Sequence, residues 1–151
     1  MLKRFFHTED VLGLTILRLV LGVVFLAHGS QKMLGWFGGY GFKATMGFFT
    51  QMMHVPPFFA FLAIVAEFFG GLGLVLGLLS RLAAFGITSL MLVAIYMVHW
   101  PMGFFMNWSG QQKGEGFEYH LLVLAMTLVL MIRGAGAFSL DRVIGARLGG
   151  E

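Results

Sequence analysis

The sequence contains no cysteine. Disulfides, thiolate-held iron–sulfur clusters, Cys-x-x-Cys haem attachment and thiol relays within the chain are therefore excluded. Charge is nearly as scarce, with 11% charged against 58% hydrophobic residues in a chain of 151. Soluble domains carry about 25% charged residues, so this composition suits a chain whose solvent is lipid. The net charge of +3 is scattered along the sequence and offers nucleic acid no footprint. No stretch cradles phosphates or resembles a nucleotide loop, and no nucleophile–base pair stands out. The three prolines punctuate only two places, Pro56-Pro57 and Pro101.

Between those breaks lie long apolar runs. The first, Val11 to Leu34, is long enough to cross a bilayer at ~1.5 Å per residue. It lacks a small-residue cleavage site after a short core and is expected to be retained as a span. Further spans are expected at about 58–79, 82–100 and 117–133. The fold class that follows is all-α: an integral membrane bundle of four transmembrane helices, forming one domain over 1–151. Thr8, Glu9 and Asp10 supply an N-cap and first-turn acids for the first span. Short interfacial helices are expected in the first outer loop, where Phe42, Met46, Phe49 and Met53 recur at helical spacing, and at the C-terminus after Ser139. The aromatic stretches Trp36–Met53 and Met102–Trp108 are expected to close together as an outer lid. Lys3, Arg4, Arg81, Arg133, Arg142 and Arg147 flank one side of the spans, and Lys32, Lys43 and Lys113 the other. The positive-inside rule then puts both termini in the cytoplasm.

The informative residues are the polar ones inside these runs. On the first span, Arg18, Gly22, Phe25, His28, Gly29 and Lys32 fall within about a third of the helix circumference, with Leu19, Leu21, Val24 and Leu26 opposite. A cationic stripe cannot face lipid, where each central charge costs at least ~2.5–3.5 kcal/mol, so it faces other helices. Glu67 is the one ionisable residue of the second span, among Ala60, Ala63, Gly70 and Gly71, whose small size permits close helix approach. His99 and Trp100 end the third span, and Glu118 and His120 open the fourth. Alternating helix directions gather His28, Gln31, Lys32, His54, Glu67, His99, Trp100, Glu118 and His120 into one polar layer near the outer leaflet. Arg18 lies roughly 10 Å below Glu67 in height.

Such a layer suits proton exchange with a lipid-soluble carrier such as a quinone. Glu67, His28, Glu118 and His99 are the candidate catalytic groups. Arg18, His28, Gln31, Lys32, His99, Trp100, Glu118 and His120 are the candidate cofactor contacts. A metal or a haem ranks behind a quinone, because no two histidines share an i, i+4 face and all ligands would come from different helices.

Taken together, the pieces Arg18-Leu19-x-Leu21-Gly22-x-x-Phe25-Leu26-x-His28-Gly29-x-Gln31-Lys32, Glu67-x-x-Gly70-Gly71-x-x-Leu74-x-x-Gly77 and Arg81-x-Ala83-Ala84 resemble the DoxX family of small bacterial membrane proteins. His99, Gly103-Phe104-Phe105, Gly116-Phe117-Glu118-Tyr119 and Gly134-x-Gly136-x-x-Ser139-Leu140-Asp141 follow in family order. The resemblance implies a four-helix bundle and a connection to quinone-linked oxidoreductase systems. It directs attention to Arg18, His28, Lys32, Glu67, His99 and Glu118. The leading expectation is a membrane-embedded redox subunit acting with partner redox proteins, because the chain has no flavin or iron–sulfur motif of its own. The alternatives are a non-enzymatic anchor, assembly factor or small-molecule carrier, and then a transporter, which the lack of inverted repeats disfavours. The lipid bilayer is a partner in every case, and a homo-oligomer is compatible with each.

Overall fold

The computed structural model describes residues 5–149; the basic pair Lys3 and Arg4 lies outside them. The described chain is helical and contains no strand. Helix α1 spans Leu12–Met33, and a short α2, Gly41–Gly47, runs on into a π-helical turn, Phe48–Met52. Helix α3 is Pro57–Leu76, with proline at its first turn, where the missing N–H costs nothing. Helix α4, Ser80–Ala94, continues through a π turn, Ile95–His99, and a 3-10 turn, Trp100–Met102. Helices α5, Glu118–Arg133, and α6, Leu140–Gly149, complete the chain.

Three of these helical stretches are long and apolar enough to cross a membrane: Leu12–Met33, Pro57–Leu76 and Ser80–Met102. Helix α5 has 16 residues and so rises about 24 Å, less than a typical ~30 Å hydrocarbon core. The main neighbours are α1 with α3, α3 with α4, and α4 with α5, while α1 and α5 touch more lightly. The core runs along their shared axis through Leu21, Phe25, Leu74, Ala84, Ile87, Met91, Val123 and Leu130. Large apolar side chains such as Val20, Val23, Phe69, Phe85, Leu122 and Ile132 point outward, which is the pattern of a lipid-facing surface. Trp36, Tyr40, Tyr96 and Trp108 are exposed at the end carrying the two aromatic loops, as an interfacial girdle would be.

Glycines set the α1–α3 contact. A Cβ on Gly22 would sit 2.8 Å from the Val75 nitrogen, and one on Gly71 would sit 2.8 Å from the Leu26 Cα. The backbones therefore touch, as small residues in membrane helices allow. This contact also corrects the circumference expected for α1. Leu21 is buried with Arg18, Gly22, Phe25 and Gly29, whereas His28 is exposed at the edge of the arc.

At the end of the bundle opposite the aromatic loops, the chain is knotted by hydrogen bonds. Arg18 is 1% exposed and donates through Nε to Ala135 O (3.0 Å), through one amino group to Leu74 O and to Val75 O (2.8 Å), and through the other to Phe138 O (3.2 Å). Gly77, at φ 67°, turns the chain out of α3 so tightly that a Cβ there would lie 3.0 Å from the Arg18 guanidinium carbon. Asp141 reaches across to the start of α4, accepting from Leu79 N (2.7 Å) and Ser80 N (2.8 Å). Arg81 donates to Met131 O, Ile132 O and His7 O. Thr8, Glu9 and Asp10 do not cap α1, whose N-cap is the extended Val11 without a side-chain bond. Instead Thr8 accepts from Gly136 N, Glu9 pairs with Arg133, and Asp10 pairs with Arg142. These side chains are more useful tying the N-terminal segment to the distant end of the chain than satisfying α1 locally. Ser139 does cap α6, accepting from Arg142 N at 3.2 Å.

Each aromatic loop is fastened to the helix ends beside it. The first loop is held on α1, where Gln31 Nε2 donates to Phe37 O, and on α3, where Phe42 meets Phe61 edge-on at 6.3 Å. The second folds back onto the start of α5 through Gly116 N to Phe105 O, Phe117 N to Gly103 O and Glu118 N to Phe104 O. Among the described residues, no backbone hydrogen bond joins the two loops.

Candidate functional site

At the aromatic end, the last turn of α1, the first half of α3, the end of α4 and the first turn of α5 meet. Gly29 brings α1 against α3 beside Glu67: a Cβ there would lie 2.8 Å from the Glu67 carbonyl carbon. Three residues on, Lys32 reaches down the same face, and its Nζ lies 2.7 Å from Glu67 Oε2. The lysine side chain is 29% exposed and the carboxylate side 8%. The pair is therefore dry at one end and open at the other. Tyr119, in the first turn of α5, meets the His120 ring edge-on at 5.6 Å.

Two histidines stand at the same end of the bundle. His99 and His120 have ring centroids 4.0 Å apart with planes tilted 44°. Their meeting depends on the irregular end of α4. Ala84, Ile87 and Met91 mark its buried face, and an uninterrupted α-helix would carry that face through positions 94 and 95 to position 98. A π turn takes one extra residue, so the face passes to His99, which is half-buried, while Val98 is exposed. His99 Nδ1 is 2.8 Å from Glu115 O; a carbonyl only accepts, so this nitrogen carries the proton. His120 is 6% exposed and its Nδ1 is buried without a partner. Phe117, one helical turn earlier, stacks on Trp100 at 5.4 Å and 12°, and Phe104 meets it edge-on at 5.6 Å.

The structure thus brings Lys32, Glu67, His99 and His120 to one end of the bundle, with Trp100 on the aromatic wall beside the histidines. Glu118 is at the same end but occupied, its Oε1 accepting Met106 N at 2.8 Å to hold the second loop. Gln31 likewise serves the first loop through Phe37 O. His28 is at this depth but faces outward, and His54 is exposed at φ 55° between α2 and α3. Arg18 belongs to the opposite end. Among the described residues, no group of three or more histidine and carboxylate side chains is arranged to hold a metal ion. Sequence reasoning missed Tyr119 and Phe117 as neighbours of the layer. Their place in the first turn of α5, flanking Glu118, was the available signal.

Fold and site together define a small helical membrane protein with a polar layer near one end of its bundle. The DoxX family model matches residues 13–100, over half the chain, and the chain belongs to that family. It is 29% identical over 136 residues to the inner membrane protein YqjF of Escherichia coli (strain K12), covering 90% of this chain and 94% of that one. It is 30% identical over 149 residues to the membrane protein Rv3486 of Mycobacterium tuberculosis (strain ATCC 25618 / H37Rv), covering 95% and 88%. It is 25% identical over 130 residues to CatD of Bacillus subtilis (strain 168), a protein provisionally named as an oxidoreductase, covering 86% and 85%. No solved structure matches the chain.

Proposed function

We propose that this protein is a four-span subunit of a redox system, embedded in the membrane with both termini cytoplasmic. In this reading it binds a quinone or similar lipid-soluble molecule in the polar layer near the outer leaflet and works with partner redox proteins. The observation that carries the reading is the half-open Lys32–Glu67 pair at the same end as a buried imidazole without a hydrogen bond. A buried carboxylate on a membrane helix requires a cationic partner, and an unsatisfied imidazole costs desolvation energy until something binds it. A quinone head group offers ring oxygens to such donors, while its tail stays in lipid. Lys32 would orient one oxygen, and Glu67, His99 and His120 would carry protons. His28, outward-facing at the same depth, lies where a ligand from the bilayer or a partner would arrive. Electrons would pass to a partner, because this chain has no cysteine for an iron–sulfur cluster. The name given to CatD points the same way.

A non-enzymatic carrier or anchor is the second reading. It is favoured by Glu67 being already neutralised by Lys32, so that the layer can bind a molecule without exchanging protons with it. One preparation separates the readings. Detergent-purified protein is expected to carry quinone in its lipid extract and to bind an added short-chain quinone, with Lys32→Met and Glu67→Gln each weakening binding about tenfold. Absence of quinone from the extract, with no binding of the added one, would refute quinone binding. Binding without turnover when a reductant and candidate partner are supplied would favour the carrier. Reporter fusions after Gly150 and within 109–116 are expected to give opposite signals; equal signals would overturn the orientation.

A further inference from the structure

We infer that His99 and His120 form the docking point for one ring oxygen of a planar aromatic ligand, a quinone carbonyl or hydroquinone hydroxyl. The inference rests on the proposal that the polar layer binds such a molecule, and it specifies where the oxygen goes.

The two imidazoles arrive with complementary roles. Glu115 O fixes the proton of His99 on Nδ1, which leaves the Nε2 of a neutral ring as an acceptor. The carbonyl is itself held in place, because the Glu115 carboxylate accepts Asn107 N at 2.6 Å. The second loop therefore sets the tautomer of His99. His120 Nδ1, by contrast, is buried without a hydrogen-bond partner. A hydroxyl at this point would donate to His99 Nε2 and accept from His120 Nδ1–H; a carbonyl would accept from His120 alone. With the ring centroids 4.0 Å apart, a ligand oxygen docked on one imidazole would lie within reach of the other.

The aromatic wall narrows the class. Phe117 lies between His120 in sequence and Trp100 in space, stacked at 12°, with Phe104 on its edge. Flat surfaces with one hydrogen-bonding point favour a flat ligand with a polar edge. The π turn supports the same assignment. Short π segments interrupt α-helices at functional sites more often than elsewhere, and this one is what rotates His99 towards His120.

The test uses the full chain with 15N-labelled histidine in phosphatidylcholine nanodiscs, titrated with decyl-ubiquinone and, separately, with decylbenzene, which lacks ring oxygens. The quinone is expected to shift the His120 ring-nitrogen resonances, and decylbenzene to leave them in place. Affinity followed by tryptophan quenching is expected to fall about tenfold in His120→Phe, the loss of one hydrogen bond in a dry site. His120→Asn, whose amide nitrogen stands near the Nδ1 position, is expected to keep most of the affinity. The wild-type titration remains decisive if the phenylalanine variant fails to fold. If the wild type binds quinone, Lys32→Met weakens it and the His120 nitrogens do not move, the layer binds quinone but the histidine docking point is wrong. Equal shifts with decylbenzene would likewise overturn oxygen recognition. If the wild type binds no quinone at all, the underlying reading fails and this inference with it.

Discussion

The two ends of the bundle bury polar groups in opposite ways. At the end closed by Arg18, a 1% exposed guanidinium is shared among carbonyls of Leu74, Val75, Ala135 and Phe138, and Asp141 takes two amides at the start of α4. Two single atoms there lack partners, Ser80 Oγ and Arg81 Nε, but both residues are held by their other groups. At the other end, Lys32 is only partly covered over Glu67, and the buried Nδ1 of His120 has no hydrogen-bond partner. Saturated polar groups are a way of holding segments together. Unsatisfied or half-open ones cost stability and are retained where something else binds.

The comparison breaks most directly at Arg18. Arg18→Met removes charge-assisted donors from several buried carbonyls at once, which is expected to cost about 3–5 kcal/mol. Against a typical total of about 5–15 kcal/mol, that is a large drop in thermal midpoint, measurable in detergent. Arg18→Lys is expected to recover little, because one ammonium cannot reproduce the planar fork that joins the end of α3 to the loop after α5. Quinone affinity of whatever folds is expected to be unchanged. If Arg18→Met were as stable as wild type, the closed end would not be the structural one.

Next comes Gly29→Ala, which sharpens the contrast by pushing α1 off α3 beside Glu67. Its Cβ would meet the Phe68 nitrogen at 2.5 Å, and backbone cannot step aside as a side chain can. Overpacking of this kind costs about 1–3 kcal/mol. The same displacement should pull Lys32 from Glu67, so quinone affinity and stability are expected to fall together. A variant that lost neither would show that the helices do not touch there.

Much of this arrangement is legible in the sequence. The hydrophobic runs locate α1, α3 and α4, and glycines at 22, 29 and 71 announce backbone contact. A cationic partner for Glu67 on the first span is legible because a buried acid needs one, but Arg18 and Lys32 both qualify by type and only the structure selects Lys32. Other parts leave no such mark. Arg18 binds backbone carbonyls, which every residue carries, so its partners have no signature in residue types. The π turn is a shift of one residue inside an apolar run, where Val98 and His99 give no hint of which faces inward. His28 sits at the edge of its arc, and only the position of the α1–α3 contact decides that it turns out. The acids at 9 and 10 look like helix-start residues but reach residues over a hundred positions away, a choice made by tertiary geometry.

A smaller effect is expected from Glu67→Gln. The substitution leaves Lys32 without its counter-charge, but a lysine 29% exposed near a helix end can turn its ammonium towards water or headgroups. The expected loss is about 1–2 kcal/mol, below the ~3–5 kcal/mol of a fully dry pair that loses one partner. Quinone affinity should fall about tenfold, a loss of ~1.4 kcal/mol comparable to the loss of stability. A stability loss as large as that of Arg18→Met would make Glu67 a staple like the arginine and erase the difference between the ends.

The smallest effect on stability, and the sharpest discrimination, belongs to His120→Phe. In a purely structural site, replacing a residue 6% exposed would forfeit contacts and lower the thermal midpoint. Here the imidazole brings a buried nitrogen with no partner, and a group left in that state costs about 1–3 kcal/mol of desolvation. Phenylalanine removes that penalty and keeps a ring to pack against His99 and its neighbours. The larger ring introduces some crowding, which offsets part of the gain. The midpoint of the ligand-free protein is therefore expected to stay the same or rise slightly, while the rise that wild type shows on adding quinone disappears. Ser80→Ala is the control at the other end, since Ser80 Oγ is equally unpartnered and 0% exposed. It too should be neutral or slightly stabilising, but it should leave the quinone-induced rise intact. A His120→Phe protein that is clearly less stable than wild type, and that still gains stability from quinone, would place His120 among the structural residues and remove the functional half of the comparison.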